Sequence, residues 1–331
     1  MTDTQEAILY VIASLQNQNQ SITLDALRQP FTLMGYGEVD IAEQLGGLAE
    51  MGLVYLSVDD QFRLTELGQT EANRIYKIKA REEFSSFIER ASASPAYLDF
   101  CRELYGYRLP LFNMMDQEQL DFVFNSIPLS GSDIVLDLGC GPASILNHLV
   151  NKYGCQGIGI DQIDWPEAAM EGSVFYIQGD IDSFLDYQIT STVCLAVDSL
   201  YFTTDLPALI SKLRSIPQNR LYLFYSQYIF DPGNKDQSLL HADHTRLAAA
   251  LHQAGLSYQT IDYSTNERML YENGLKILPK YRDLFEAEGN MRLYEKNLQE
   301  YSMGKDLYDR GMASRFLYVV LMNDSKIFRV L

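Results

Sequence analysis

The chain changes its hydrophobic rhythm near residue 133. Before it, apolar residues recur every three or four positions, the period of an amphipathic helix. "TQEAILYVIASLQ", "TLDALRQPF" and "VDIAEQLGGLAEMG" each carry that pattern. Thr23 is placed to cap the second of these helices, and Gly52 to stop the third. "LVYLSV", the turn "DD" and "QFRLT" follow as strand, turn and strand. "TELGQTEANRIYKIKAREEFSSFIERA" predicts one long helix. Residues 90–130 carry two further amphipathic helices, "PAYLDFCRELYG" and "MMDQEQLDFVFNSI", on either side of "YRLPLFN". They end in the turn-forming "PLSGSD".

From 133 onward short apolar runs alternate with helical patterns. "DIVLDLG", "QGIGID", "SVFYIQGD", "TVCLAVDS" and "RLYLFYSQY" read as five strands. "ASILNHLVNKYG", "TDLPALISKLRSI" and "HADHTRLAAALHQAG" read as helices between them, the first stopped at Gly154 and the second carrying Pro207 in its first turn. "LSYQTIDYS" and the distant "SRFLYVVLM" are the last two strands. Apolar strands alternating with helices predict an α/β fold, a doubly wound, mostly parallel sheet of seven strands, with an antiparallel edge from the last pair. The 264–312 stretch between the last two strands is helical and aromatic, and too long for a hairpin loop, so it is expected to cover the site. The organisation expected is a helix-and-hairpin domain over 1–80, a helical connector and lid over 81–130, and a ligand-binding domain over 131–331.

Three helices followed by a hairpin resemble a winged-helix module, a fold that often reads DNA. Charge speaks against that use here. Residues 1–75 hold eleven acids and only Arg28, Arg63 and Arg74 as bases. The helix that would read DNA offers Asp40, Glu43 and Glu50 and no base, which repels phosphates. Dimerisation, giving a homodimer, or covering of a substrate is the expected role.

The 331-residue chain has a formal net charge of −18 and is 47% hydrophobic, enough for two domains with real cores. That acidity disfavours nucleic acid and anionic membranes as partners and is compatible with a cationic ligand. No apolar run is long enough to span a membrane, and "MTDTQEAILYV" lacks the basic start of a signal peptide. Cys101, Cys140, Cys155 and Cys194 form no CxxC pair or framework. Reduced thiols and a cytoplasmic location are expected.

The candidate chemistry lies at the strand ends, where ligands bind in doubly wound sheets. Asp137, Asp161, Asp180 and Asp198 all sit there. In "DLGCGPAS", Gly139 and Gly141 permit a sharp turn and close approach of the backbone to a ligand. A dinucleotide turn would carry a third glycine at Ser144, and Asp137 would repel a pyrophosphate. An acid there suits a ligand with a cationic amine. Asp161 can accept from ribose hydroxyls, and Asp180 from an exocyclic amine.

The series "VLDLGCGPAS…GIGID…YIQGDI…AVDSLYF" resembles the motifs of class I S-adenosylmethionine-dependent methyltransferases, over 133 to about 321. The flanking "YGYRLPLFNMMDQEQLDFVF" and "FEAEGNMRLY…SRFLYVV" are similar to a bacterial subgroup acting on small molecules. The resemblance implies S-adenosyl-L-methionine as cofactor, with S-adenosyl-L-homocysteine as product. It implies that Asp137, Gly139 and Gly141 face the methionine part, Asp161 the ribose, and Asp180 with Ile181 the adenine. Asp198 and Ser199 would lie near the methyl group, with Cys140, Pro142, Gln162 and Gly179 completing the set. Ala143 departs from the subgroup, which more often has glycine there.

Methyl transfer from a sulfonium needs alignment and exclusion of water. No metal is expected: His241 and His244 share a helix face without an evident third ligand. Asp198 is the candidate base, with Tyr201 beside it. Tyr105, Tyr107, Phe202, Tyr228, Glu288 and Tyr294 are the substrate candidates, within an aromatic region that includes Phe112, Tyr225 and Phe230. Aromatic faces plus carboxylates suit an amine or other cationic small molecule. Two other readings stay open: a winged-helix regulator sensing a nucleotide, and a nicotinamide-dependent oxidoreductase.

Overall fold

The computed structural model describes residues 1–17, 22–24, 27, 39–58, 61–165, 173–182, 189–203, 205–216, 220–229 and 237–321. Most of the helix expected at "TLDALRQPF", the turn at 59–60 and Phe230 lie outside the described residues. The chain forms two compact units, Met1–Ser86 and Phe87–Leu331.

In the first unit, α1 (Asp3–Asn17) and α2 (Ile41–Glu50) precede a hairpin of β1 (Val54–Leu56) and β2 (Phe62–Leu64). Asp40 caps α2 by accepting from the amides of Ala42 and Glu43. Its apolar face, Ile41, Leu45 and Leu48, packs with Ile8, Ile12, Val54 and Ile75 into a separate small core. The long helix α3 spans Glu66–Ser92.

The second unit opens with α4 (Pro95–Tyr105), which begins at the Ser94 cap and Pro95 and ends at Gly106 with φ 78°. The short α5 (Gln117–Asp121) runs on into a π-helical turn over Phe122–Ser126. Then comes a seven-stranded sheet. In chain order its strands are β3 (Ile134–Leu138), β4 (Gln156–Asp161), β5 (Val174–Gln178), β6 (Val193–Val197), β7 (Arg220–Tyr228), β8 (Tyr258–Asp262) and β9 (Ala313–Leu321). Its order is β5-β4-β3-β6-β7-β9-β8. The first five strands are parallel, and β9 runs antiparallel between β7 and β8.

The strands read as unbroken apolar runs because both faces of the sheet are covered. Along β7, Tyr222 and Phe224 join one core with α4, α6 (Ser144–Tyr153) and the cover helices. Leu221, Leu223 and Tyr225 join the other, with α7 (Leu206–Ser215) and α8 (Arg246–Gln253). The cover is α9 (Ser264–Ile277), a 3-10 turn at Leu278–Tyr281, α10 (Arg282–Ala287) and α11 (Met291–Asp309). No helix among the described residues is long and apolar enough to cross a membrane.

Candidate active site

The strand order reverses between β3 and β6: the chain builds outward to β4 and β5, then returns to the other side of β3. Such a switch point opens a crevice beyond the strand ends. Asp137, Asp161, Asp180 and Asp198 stand on or just after four neighbouring strands there.

The turn after β3 gathers three left-handed residues within five positions. Gly139 (φ 74°), Gly141 (φ 53°) and Ala143 (φ 57°) all lie in the left-handed region. Gly139 and Cys140 donate their amides to the carbonyl of Ile160, at 2.8 and 3.1 Å. A side chain at Gly139 would strike Ser199, whereas the space beside Gly141 is open for 4 Å. Gly159 leaves room for the Cys140 sulfur, which a methyl there would meet at 2.6 Å. The turn therefore leans on β4 and on the segment after β6, with Gly141 facing open space.

Two acids frame it. Asp161 accepts from the Gly141 amide through Oδ2 and from the Ile163 amide through Oδ1, both at 2.9 Å. Its carboxylate is thereby held in a fixed plane under the turn. Asp137 is buried one strand away. Burial pushes its carboxyl up to about 7, and the charge of Asp161 adds to the effect. Asp180 is exposed and accepts from the Asp182 amide at 2.9 Å, an Asx turn that ends β5. The Gly179 amide donates to the Asp161 carbonyl, tying the two strand ends together. Ile181 is buried, and Pro142 and Gln162 are half-buried.

Asp198 also has a left-handed backbone, φ 52°. Its carboxylate is held at two points by the fully buried Arg315 of β9, Nη1 to Oδ1 at 2.7 Å and Nη2 to Oδ2 at 3.0 Å. The Met114 amide donates to Oδ2 as well. Both oxygens of the expected base, Asp198, are thus engaged by hydrogen-bond donors. Tyr201 keeps its ring exposed, while its hydroxyl accepts from the Ser226 amide at 2.5 Å and lies 3.5 Å from Asp198.

Arg315 gathers partners from across the unit. Nε donates to Gln119 at 2.7 Å, Nη1 donates to Ser226 Oγ at 2.8 Å, and Glu267 lies 3.6 Å away. Burial alone would lower the guanidinium's affinity for its proton, but Asp198 and Glu267 outweigh it and hold the charge. Glu267, also fully buried, accepts from the hydroxyls of Tyr228, Tyr271, Tyr308 and Ser226. Burial still raises its carboxyl above the ordinary range. A third carboxylate, Glu300 on α11, is pushed up to about 6 by burial, with Asp198 and Glu267 adding to the effect against the lowering by Lys296. Its charge acts on Tyr97, Tyr105, Tyr271 and Tyr301. Lys296 itself sits over the Phe87 ring, 4.5 Å from its centre.

The expected substrate residues divide. Tyr228 lies in this network, and Tyr105 is buried beside it with its hydroxyl 3.4 Å from that of Tyr301. Phe202 is exposed beside Tyr201. Tyr107 donates to Asp121 and packs edge-on against Phe124 and His148, a contact that shapes the connector. Tyr294 is buried against Phe285 in the cover. Glu288 is exposed at the start of α4. It accepts from Ser94 Oγ at 2.5 Å and from the Ala96 amide at 2.8 Å, helping to cap α4. Arg315, Glu267, Gln119 and Glu300 escaped the sequence reading. The usable signals were a charged residue at the head of the apolar run "RFLYVVL" and an acid within the aromatic "NERMLYENG", since burial of either demands partners. Among the described residues no group of three His, Cys, Asp or Glu is arranged to hold a metal ion.

Solved structures share this architecture. Phosphoethanolamine N-methyltransferase 2 of Haemonchus contortus, in complex with phosphomonomethylethanolamine and S-adenosylhomocysteine, matches with a TM-score of 0.54 at 10% identity, over 72% of this chain and 59% of that one. The same enzyme with S-adenosyl-L-methionine gives 0.50, with the same identity and coverage. A cyclopropane synthase of Mycobacterium tuberculosis gives 0.52 at 11% identity, over 71% of this chain and 98% of that one. The match therefore spans under two thirds of the Haemonchus enzyme's length. No family model matches the chain, and no curated protein matches it in sequence. The likeness establishes the fold: this unit has the Rossmann-like methyltransferase fold.

Proposed function

We propose that the protein is an S-adenosyl-L-methionine-dependent methyltransferase acting on a small-molecule acceptor, a cationic amine by the chemistry of its site. The observation that carries this reading is the pair Asp137 and Asp161 under the glycine turn. Two neighbouring carboxylates, one of them buried and raised to about 7, cost free energy unless a cation joins them. A pyrophosphate would make that worse, which speaks against a nicotinamide cofactor. The α-ammonium of an amino-acid tail would relieve it, and the open side of Gly141 leaves room for that tail.

The cofactor, when bound, supplies an electrophilic methyl group on a sulfonium that departs as a neutral thioether. The protein's share is to bind, orient and hold protons. Asp137 answers the ammonium, and Asp161, fixed by two amides, accepts from ribose hydroxyls. Gly179, Asp180 and Ile181 border the adenine, and Gln162 the ribose. Gly139, Cys140, Gly141 and Pro142 carry the backbone past the methionine part, and Ser199 closes the other side. Tyr105, Tyr201, Phe202 and Tyr228 offer the acceptor aromatic faces. Asp198, at the strand end, and Glu300, whose carboxyl burial pushes up to about 6 beside it, are the two candidate bases, and Glu300 is the one not gripped by Arg315.

Isothermal titration with S-adenosylmethionine and S-adenosylhomocysteine tests the reading. Binding is expected, and Asp161→Ala should weaken it in a protein that still melts cooperatively, at a lower temperature because the Gly141 and Ile163 amides lose their acceptor. Folded protein that gives no binding heat with either would end it. Incubating metabolite pools with a labelled methyl donor would then identify the acceptor. The first unit is read as a dimerisation or cover module rather than a DNA reader, on its acidity; a monomeric mass by light scattering would remove the dimer.

A further inference from the structure

We infer that Arg315 is a positioning residue for the cofactor turn, which it fixes from beneath through Asp198 and Ser199 without reaching the ligand. This inference rests on the methyltransferase reading and adds a residue to it. The chain of contacts is short and continuous. Arg315, fully buried, grips both oxygens of Asp198 at 2.7 and 3.0 Å. That grip bears on a residue whose backbone is left-handed, φ 52°, a region non-glycine residues seldom occupy although aspartate enters it more readily than most. The next residue, Ser199, donates its hydroxyl to the Leu138 carbonyl at 2.5 Å. Its Cβ lies 2.4 Å from where a side chain on Gly139 would be. Arg315, Asp198, Ser199 and the Leu138–Gly139 backbone thus form one packed column ending at the glycine turn.

The column is also anchored sideways. Gln119 of α5 and Ser226 of β7 receive the remaining described hydrogen bonds of the guanidinium. Glu267 of the cover helix α9, itself held by three tyrosine hydroxyls, lies 3.6 Å from it. A planar, permanently charged fork suits this duty, because it fixes a carboxylate at two points where an ammonium fixes it at one. Lysine at 315 would retain the charge and lose the two-point grip. The turn after β6 would then be freer to relax from its left-handed conformation, and the glycine turn would lose its rear support.

Two readouts test this, one of them independent of any ligand. In Arg315→Lys, amide hydrogen exchange should speed up at residues 139–143 and 198–200 in the ligand-free protein, while β4 and β5 keep wild-type rates. S-adenosylhomocysteine affinity should fall by about tenfold or more from lost preorganisation. Should the lysine variant not fold, Arg315→Gln combined with Asp198→Asn removes both buried charges together. The same two changes are expected there. Wild-type exchange at 139–143 in a folded variant would overturn the positioning role whatever the ligand proves to be. Failure of the wild type to bind S-adenosylhomocysteine would instead strike the methyltransferase reading, and the exchange result would still decide the role of Arg315.

Discussion

Gly139 and Ser199 are packed so closely that a methyl group on the first would lie 2.4 Å from Cβ of the second. The contact joins the turn after β3 to the segment after β6 across the point where strand order reverses. Gly139 also holds φ 74°, so two independent constraints exclude a side chain. Gly139→Ala should therefore destabilise the protein by on the order of 3 kcal/mol and abolish S-adenosylhomocysteine binding. Adding Ser199→Gly relieves the clash and leaves the backbone strain. Denaturant unfolding of the double variant should recover part of the stability, and full recovery would show that the φ constraint carries no weight.

Ala143 makes a milder case of the same constraint. It sits at φ 57°, fully buried, just before the first residue of α6. A left-handed alanine costs about 1–2 kcal/mol, and a glycine gives back about 0.4–1 kcal/mol through the unfolded chain. Ala143→Gly should stabilise the protein by up to about 1 kcal/mol in urea unfolding, with affinity for S-adenosylhomocysteine within about twofold of wild type. The glycine that the resemblance expects at this position has a backbone reason.

The strands and the acids at their ends were legible because their signals are local. An apolar run covered on both faces shows its length and limits without its partners, and Asp137, Asp161, Asp180 and Asp198 sit directly at those limits. The placement of β9 between β7 and β8 was not legible, because period carries no information about strand order. Nor was the Arg315 network. Its members come from α5, the residue after β6, β7, α9, α11 and β9, and only folding brings them together. Asp198 was read as a base from its strand-end position, and Arg315, which binds its carboxylate, lies 117 positions along the chain.

On the methyltransferase reading, the carboxyl of Asp137 should make cofactor binding depend on pH. Its folded value, about 7, lies above the ordinary one, so the ligand-free protein keeps a proton that the unfolded chain releases. Its contribution to stability therefore falls as pH rises from about 4 through 7. A cationic ligand prefers the ionised form, so the sign reverses for binding. Affinity for S-adenosylmethionine should rise with pH and level off above 7, being about tenfold weaker at pH 6 than on the plateau. Binding near neutrality should release a proton, seen as heats that vary with buffer ionisation enthalpy. Asp137→Asn should bind more weakly and lose the slope; an unchanged slope would assign the titration to another group.

Glu288 separates a helix cap from a substrate lid. Its two acceptor contacts, to Ser94 Oγ and the Ala96 amide, serve the start of α4. Glu288→Ala should cost about 1 kcal/mol in unfolding and leave KM and kcat within about twofold of wild type. A rise in KM with stability unchanged would restore the substrate role.

Glu300 offers the sharpest test of which carboxylate receives the acceptor's proton. Three carboxylates lie in this region, and Arg315 binds Asp198 at two points and faces Glu267. Glu300 has neither arrangement, and burial with the charges of its two neighbours sets its carboxyl at about 6. A base must be ionised to work, so kcat should fall as pH drops through about 6 and hold level above it. Glu300→Gln should remove that acid limb and lower kcat by about 10²-fold or more, while S-adenosylhomocysteine affinity stays near wild type. Asp198→Asn should act differently, weakening cofactor binding and stability together, because it leaves the Arg315 charge buried with half its grip. If the limb persists in Glu300→Gln and disappears in Asp198→Asn, the base is Asp198 and its bond to Arg315 must open during turnover.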